Sequence, residues 1–286
     1  MIELAFMLAL AAGAPQVQEV PTPPACRGAF ETIDWQACAD ASGQGTPGYG
    51  LAMINLGTRA YVEGDYASAL RYYDKAETPG QSISSDVIFH AFRGDTYRHA
   101  GRMEAARRDA SQAWMFLSNR PPVGTESRDL VPINEEVRFV VLTAILPILK
   151  DGDAPIYDQA RAMYVGIPVA DVDALSNRAV TLEQLGEFDA ALVDSKRAVD
   201  LRPGDPRLQN NHCYILVGAG LAEQGLPYCE RAVALVPDVA PVRHSYATTL
   251  AAMGRCADAD QQLAEARRLD PSAALYREPL VCTPKP

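Results

Sequence analysis

Basic residues are in deficit in this chain. Its 26 Lys and Arg face 36 Asp and Glu, for a net charge of −10 at pH 7. The clustered cations that grip a phosphate backbone are missing, which argues against nucleic acid as a partner. The two short basic runs, Arg107-Arg108 and Arg267-Arg268, fall late in expected helices, where they favour the negative end of the helix dipole. Histidine is scarce: His90, His99, His212 and His244 show no HExxH spacing, and no CxxC occurs, so neither a metal site nor a cofactor is expected. His212 and Cys213 are neighbours on one expected helix and point in different directions. No GxSxG nucleophile turn is present. The acidic pairs Glu135-Glu136 and Asp171/Asp173 stand at helix starts, where carboxylates meet the positive end of the dipole. The glycines between Ser42 and Gly50 have no Gly-Lys-Ser/Thr after them and no strand before them, so they read as a spacer and not as a phosphate loop. Nothing in this inventory is an enzyme signature. No long apolar run follows the first residues, so the mature chain is expected to lack an integral membrane segment.

What is present begins at the N-terminus. Ile2 to Ala14 is nearly all apolar and ends in small residues, the length of a signal-peptide core and too short to span a bilayer. Its lead-in has Glu3 and no Lys or Arg, and Pro15 would follow cleavage after Ala14; cleavage after Ala11 or Gly13 avoids that proline. Residues 1–14 are read as a signal peptide. The Pro-rich run that follows is an extended spacer, so 15–49 is a linker holding one short helical segment around Trp35. Six cysteines agree with export to an oxidising compartment, the periplasm. A cytoplasmic location is the alternative if the apolar segment is not a signal.

The strongest feature is a period. Pro203, Pro237 and Pro271 stand 34 residues apart, as do Ala198, Ala232 and Ala266, and Gly186, Gly220 and Gly254. A fixed period of this length marks stacked units that bury their apolar faces against one another. Each phrase reads as two amphipathic helices around a glycine turn, closed by a proline that stops the second helix. Small residues at Gly57, Gly94, Ala179 and Ala247, opposite Ala69, Ala106, Ala191 and Ala259, let the two helices cross closely. Earlier phrases carry the same marks: Leu56, Gly57, Gly64, Tyr66, Ala69, Tyr73 and Ala76, then Gly94, Tyr97, Gly101, Ala106 and Ala113.

This pattern resembles the tetratricopeptide repeat, a 34-residue helix–turn–helix unit. The resemblance implies an all-α fold, a right-handed superhelical solenoid of antiparallel helix pairs. Two repeats are expected in 50–120, a diverged helix pair in 121–171, three repeats in 172–273, and a capping helix with a tail in 274–286. In the diverged pair Gly152 is placed at the turn, and the apolar helix 135–149 is read as buried; the alternative is an exposed face for a membrane or a partner. The order of the cysteines suggests the local pairs Cys26–Cys38, Cys213–Cys229 and Cys256–Cys282. Cys213 and Cys229 fall on facing helices of one unit, while Cys256 opens a second helix and Cys282 lies near the end of the capping helix. Six separate buried thiols are the alternative, because spacing alone fixes no connectivity.

In the family this chain resembles, the first helices line a concave face that holds a peptide or a partner helix. Mapped here, that face carries Thr58, Tyr61, Asp95, Arg98, His99, Asn177, Glu183, Asn210, Asn211, Tyr214, His244 and Thr248, with Ser176, Val180 and Ser245 between them. Asn177 and Asn211 stand where relatives use an amide to hold a peptide backbone. One subfamily binds acidic C-termini with Lys, Arg and Asn. Here the matching positions are Ser176, Val180, Asn211, Pro241 and Ser245, and only Asn211 fits. The expected partner is a protein or an extended peptide, neutral or basic, bound without catalysis by a monomer. A structural subunit of an envelope assembly that uses helix 135–149 is the alternative, and a regulator or domain of an enzyme system the second.

Overall fold

A computed structural model describes residues 23–27, 32–76, 87–119, 133–152 and 154–282. The signal peptide read at 1–14, most of the Pro-rich spacer, and tail residues 283–286 lie outside the described residues. The chain divides into two units, Met1–Ile167 and Pro168–Pro286.

The first unit holds α1 (Trp35–Ser42), α2 (Pro47–Val62), α3 (Tyr66–Ala76), α4 (Val87–His99), α5 (Met103–Ser118), α6 (Glu135–Leu149) and α7 (Ala154–Gly166). Asp34 starts α1 by accepting from the backbone N–H groups of Gln36 and Ala37, and the Cys26–Cys38 disulfide ties a preceding 3-10 turn to it. Thr46 caps α2 at the Tyr49 N–H, so this helix begins inside the stretch read as linker. The pairs α2–α3 and α4–α5 lie where two repeats are expected. Their close crossings are tight: a Cβ on Gly57 would lie 2.6 Å from the Tyr73 ring, and one on Gly94 would lie 3.1 Å from Asp109 Cβ. The aromatic Tyr73, not only Ala69, therefore fills the space that Gly57 leaves. Apolar α6 packs on α4, α5 and α7, with Val141, Leu142, Ile145, Leu146 and Ile148 all buried. Most of its hydrophobic run is spent inside the unit. Gly152 does not take the left-handed conformation expected at this turn, so the diverged pair turns differently from the others.

The second unit stacks α8 (Val172–Gln184), α9 (Phe188–Leu201), α10 (Pro206–Gly218), α11 (Ala222–Leu235), α12 (Ala240–Ala252) and α13 (Cys256–Leu269). Every first helix ends alike. Gly186, Gly220 and Gly254 hold φ of 75°, 78° and 78°, a region only glycine enters freely. The next N–H (Glu187, Leu221, Arg255) then reaches back to the carbonyl five residues earlier at 2.8–2.9 Å, closing the helix end. Second helices end alike too. Arg202, Val236 and Asp270 precede the prolines and are forced out of the helical region, with φ near −135° and ψ of 72–87°. The proline carbonyls have a use as well. Gln209, Arg243 and Arg277, each six residues on, donate side-chain N–H groups to Pro203, Pro237 and Pro271 at 2.7–3.2 Å.

The three cysteine pairs are disulfides. Cys213 stands 34 residues from Ala179 and Ala247, and opposite it Gly225 replaces Ala191 and Ala259, where a Cβ would lie 3.2 Å from the Cys213 carbonyl oxygen; the disulfide to Cys229 lies beside this close approach. The Thr249 hydroxyl of the next layer lies 3.2 and 3.3 Å from the two sulfurs. Cys256–Cys282 holds the C-terminal segment on α13. That segment is not the expected capping helix. It is one 3-10 turn, Ala274–Tyr276, followed by irregular chain. Pro279 explains the difference: it disfavours helical angles at Glu278 and removes a backbone donor, leaving too few residues for an α-helix. Tyr276 and Leu280 still cover Ala240, Ala247 and Leu263, so the segment covers that end of the layer without helical form.

Candidate partner-binding faces

In the first unit the expected face residues come together but bind one another. Tyr61 on α2 donates to Asp95 Oδ2 on α4 at 2.7 Å, across one 34-residue period. Arg98 Nε donates to Asp95 Oδ1 at 2.7 Å, and its Nη2 lies 2.9 Å from His99 Nε2. The His99 ring stacks on Tyr66 at 4.1 Å. Burial, then the Asp95 charge and hydrogen bond, drives the Tyr61 hydroxyl far above its ordinary range, so it stays a donor. Burial lowers the His99 imidazole, the more so with Arg98 beside it, although Asp95 opposes the shift. Thr58 lies 3.3 Å from the Tyr73 hydroxyl. This face is internally satisfied.

The second unit differs. Asp173 on α8 binds both Arg202 and Arg207, tying α8 to the start of α10. Ser176 Oγ takes Arg207 Nη1 at 3.3 Å and Asn211 Nδ2 at 3.1 Å, which fixes the Asn211 amide. The Asn177 amide has no hydrogen-bond partner among the described residues, and Asn210 Oδ1 is buried and unpaired. Six residues further along α8 from Asn177, Glu183 is half-buried and forms no ion pair among the described residues; burial pushes its carboxyl above the ordinary value. Gly218 on α10 lies beside it, with Glu183 Oε1 3.5 Å from where a Cβ would stand. Tyr214 on α10 is 40% exposed, and burial and then the Glu183 charge raise its hydroxyl. Asn177, Glu183 and Tyr214 thus leave an unpaired amide, an unneutralised carboxylate and an open aromatic ring on adjacent first helices. The other two expected residues are occupied. His244 is 9% exposed and packs on Tyr276 at 5.3 Å, so the imidazole fills the interior and is not available on a groove; burial lowers it. Thr248 donates to the His244 carbonyl.

Sequence reasoning passed over two buried ion pairs. Arg93 grips Asp109 at 2.7 and 2.8 Å, and Arg178 grips Asp194 at 2.6 and 3.0 Å, each joining the two helices of one repeat across 16 residues. Burial raises the Asp109 carboxyl, but hydrogen bonds from Arg93 and His90 outweigh it and hold the group below the usual range. One period on from Arg178 and Asp194, the same two positions hold His212 and Tyr228, which meet edge to face at 4.6 Å. The Arg-x15-Asp recurrence at equal repeat positions was the available signal. Ser195 Oγ lies 2.8 Å from His212 Nδ1, a nucleophile-to-base distance, yet both residues are buried, and burial with the Lys196 charge takes the imidazole down to about 4. The contact packs two layers together. Among the described residues no group of three or more His, Cys, Asp and Glu side chains can hold a metal ion, and no helix is long and apolar enough to cross a membrane.

Helix pairs closed by left-handed glycines, with close crossings and proline stops at a 34-residue period, define a helical-repeat protein of the kind that serves as an interaction scaffold. Residues 50–117 match the tetratricopeptide repeat family model, and the fold is of the α–α solenoid type. It is similar in structure to a tetratricopeptide repeat protein from Parabacteroides merdae ATCC 43184, with 15% identity and a TM-score of 0.56 over 87% of this chain and 92% of that one. It is also similar to PilW, a widely conserved type IV pilus biogenesis factor, with 14% identity and a TM-score of 0.54 over 80% of this chain and 97% of that one. At these identities the likeness is one of fold. No curated protein matches the chain.

Proposed function

We propose that this protein is an exported, non-catalytic scaffold that binds an extended peptide segment of a partner along α8 and α10, with a basic side chain of the peptide seated at Glu183. The observation that carries this reading is the half-buried Glu183 carboxylate, which has no counter-ion and stands beside the exposed ring of Tyr214. A carboxylate held partly out of water without a cation is costly, and a Lys or Arg from a ligand removes that cost while stacking on the ring. The Asn177 amide offers both a donor and an acceptor to a peptide backbone. Three disulfides support export. The alternative role for helix 135–149 as an interface has less support, because Val141, Leu142, Ala144, Ile145, Leu146, Ile148 and Leu149 are buried within the first unit, leaving Val137, Phe139 and Val140 partly open.

The test is selection from a displayed library of random extended peptides on the full chain, followed by calorimetry on the winners. The reading expects enrichment of Lys or Arg at one position and about tenfold weaker binding by Glu183→Gln, the scale of one charge-assisted contact. Winners without a basic residue, or equal affinity for Glu183→Gln and wild type, reject it.

A further inference from the structure

We propose that the Cys256–Cys282 disulfide is a site of thiol–disulfide exchange, and that its reduction by a dithiol opens the segment 271–282 as a lid over the last layer of the second unit. The segment stands where a further first helix would begin. Tyr276 lies one 34-residue period after Val242 and two after Leu208, which are buried on α12 and α10. Arg277 repeats the bond of Gln209 and Arg243 to a proline carbonyl. Leu280 and Cys282 pack over Leu250, Ala251 and Ala259, and Tyr276 covers the His244 ring. This device is separate from the peptide site at Glu183.

Of the three disulfides, this one is open from both ends. Cys256 and Cys282 are each partly exposed. Cys213 and Cys229 are 0% exposed and closed to a reductant while their layer is folded. Cys26 is partly exposed, but its partner Cys38 is 1% exposed, so attack there must expel a thiolate into the interior. Cys256 leaves more readily. It is partly in water and is the first residue of α13, a helix of 14 residues whose positive end favours a thiolate. The flanking Arg255 and Asp258 pair with each other at 2.6 Å and nearly cancel. In the exchange, one thiolate of the dithiol attacks Cys282 Sγ, the bond to Cys256 Sγ breaks, and Cys256 departs as thiolate. The second thiol of the reductant then displaces Cys282. Two electrons and two protons pass to the cysteines, and the dithiol becomes a disulfide.

Little else holds the lid down. Among the described residues no backbone N–H of 278–282 donates to a backbone carbonyl. Arg267 of α13 donates to the carbonyls of Tyr276, Arg277 and Glu278, and Tyr276 alone of residues 271–282 is buried. The bonds of Arg277 to Pro271 and Ser272 lie within the segment and do not fasten it to the helices. One ring and one arginine do not offset the backbone freedom that the segment regains once its far end is released.

The experiment exposes the folded, oxidised full chain to dithiothreitol and alkylates free thiols at intervals. The protein is then unfolded, fully reduced and alkylated with a second, heavier reagent for mass spectrometry. Cys256 and Cys282 should be reduced about tenfold faster than the other four cysteines. Diethyl pyrocarbonate then reports the lid, because His244 lies under Tyr276. After selective reduction and alkylation His244 should be modified about tenfold faster, the gain when a state open in a tenth of the molecules becomes the main one. His90 and His212, buried in other layers, should stay slow. Cys256→Ser/Cys282→Ser should show the fast His244 without any reductant. Another pair reduced as fast or faster, a His244 that stays slow after reduction and in the double variant, or loss of protection at His212 together with His244 overturns the proposal.

Discussion

Removing the Asp194 carboxylate should unfold the second unit's first helix pair more than any single surface change could. The side chains of Arg178 and Asp194 are only 7% and 8% exposed, and two hydrogen bonds of 2.6 and 3.0 Å join them. Asp194→Ala leaves a guanidinium in a low-dielectric crossing with no compensating charge, which costs about 3–5 kcal/mol. For a unit of about this size, roughly 4 °C per kcal/mol applies, so the melting temperature should fall by about 12–20 °C. The double variant Arg178→Met/Asp194→Leu removes both charges and fills similar volume, so it should recover most of the loss. Thermal melts supply the total. Hydrogen exchange on peptides from α8 and α9 supplies the location, which matters because a chain of two units need not melt in one step. A loss below about 1 kcal/mol in Asp194→Ala, or a double variant no better than the singles, would refute the desolvation argument.

Further outcomes follow from the same structure. Replacing Cys213 and Cys229 with Ala should cost about 3 kcal/mol, from the entropy of a loop spanning 16 residues, and a denaturation midpoint equal to wild type would contradict it. Gly186→Ala forces a side chain into φ of 75° and should cost about 1 kcal/mol in urea melts, whereas Gly204→Ala, which has open space around it and no positive φ, should cost less; equal effects would count against the left-handed turn. Glu183→Gln should raise the melting temperature at pH 7, since the folded state disfavours the charged form. That gain should vanish below about pH 4, where the carboxyl is protonated in both states, and a destabilised variant at pH 7 would mean that Glu183 has a hidden partner. Asp109, held below its ordinary value, contributes stability that is complete above the unfolded carboxyl range and lost as pH falls through the folded value. Acid unfolding of the first unit should therefore flatten in Asp109→Asn, and an unchanged acid limb would remove that carboxylate from the account.

The repeat grammar was legible because it is local. A glycine that must enter the left-handed region, a proline that must stop a helix and an alanine buried on the second helix each leave one recurring letter, at Gly186, Pro203 and Ala198 and again one period on. A capping helix is expected because the end of a repeat stack needs cover, and here a 3-10 turn and irregular chain before and after Pro279 supply that cover instead. The face residues were legible as positions but not as states. Nothing in the letters distinguishes Asp95, which is consumed by Tyr61 and Arg98, from Glu183, which is not. His244 sits at a face position by register, yet Tyr276 covers it, and that contact depends on how the last segment folds back. The Arg–Asp pairs were missed because the other layers fill the same slot with different chemistry.

The sulfur bridge between α10 and α11 has a kinetic side. Stacked arrays can start folding at any layer and spread to neighbours, and the layer that forms first is the one with least to lose in being ordered. Once oxidised, Cys213 and Cys229 have already brought their two helices together, so this layer should seed assembly and be the last to breathe open under strain. In a reducing setting the same layer would have no such head start, and the order of events along the second unit would be set by packing alone.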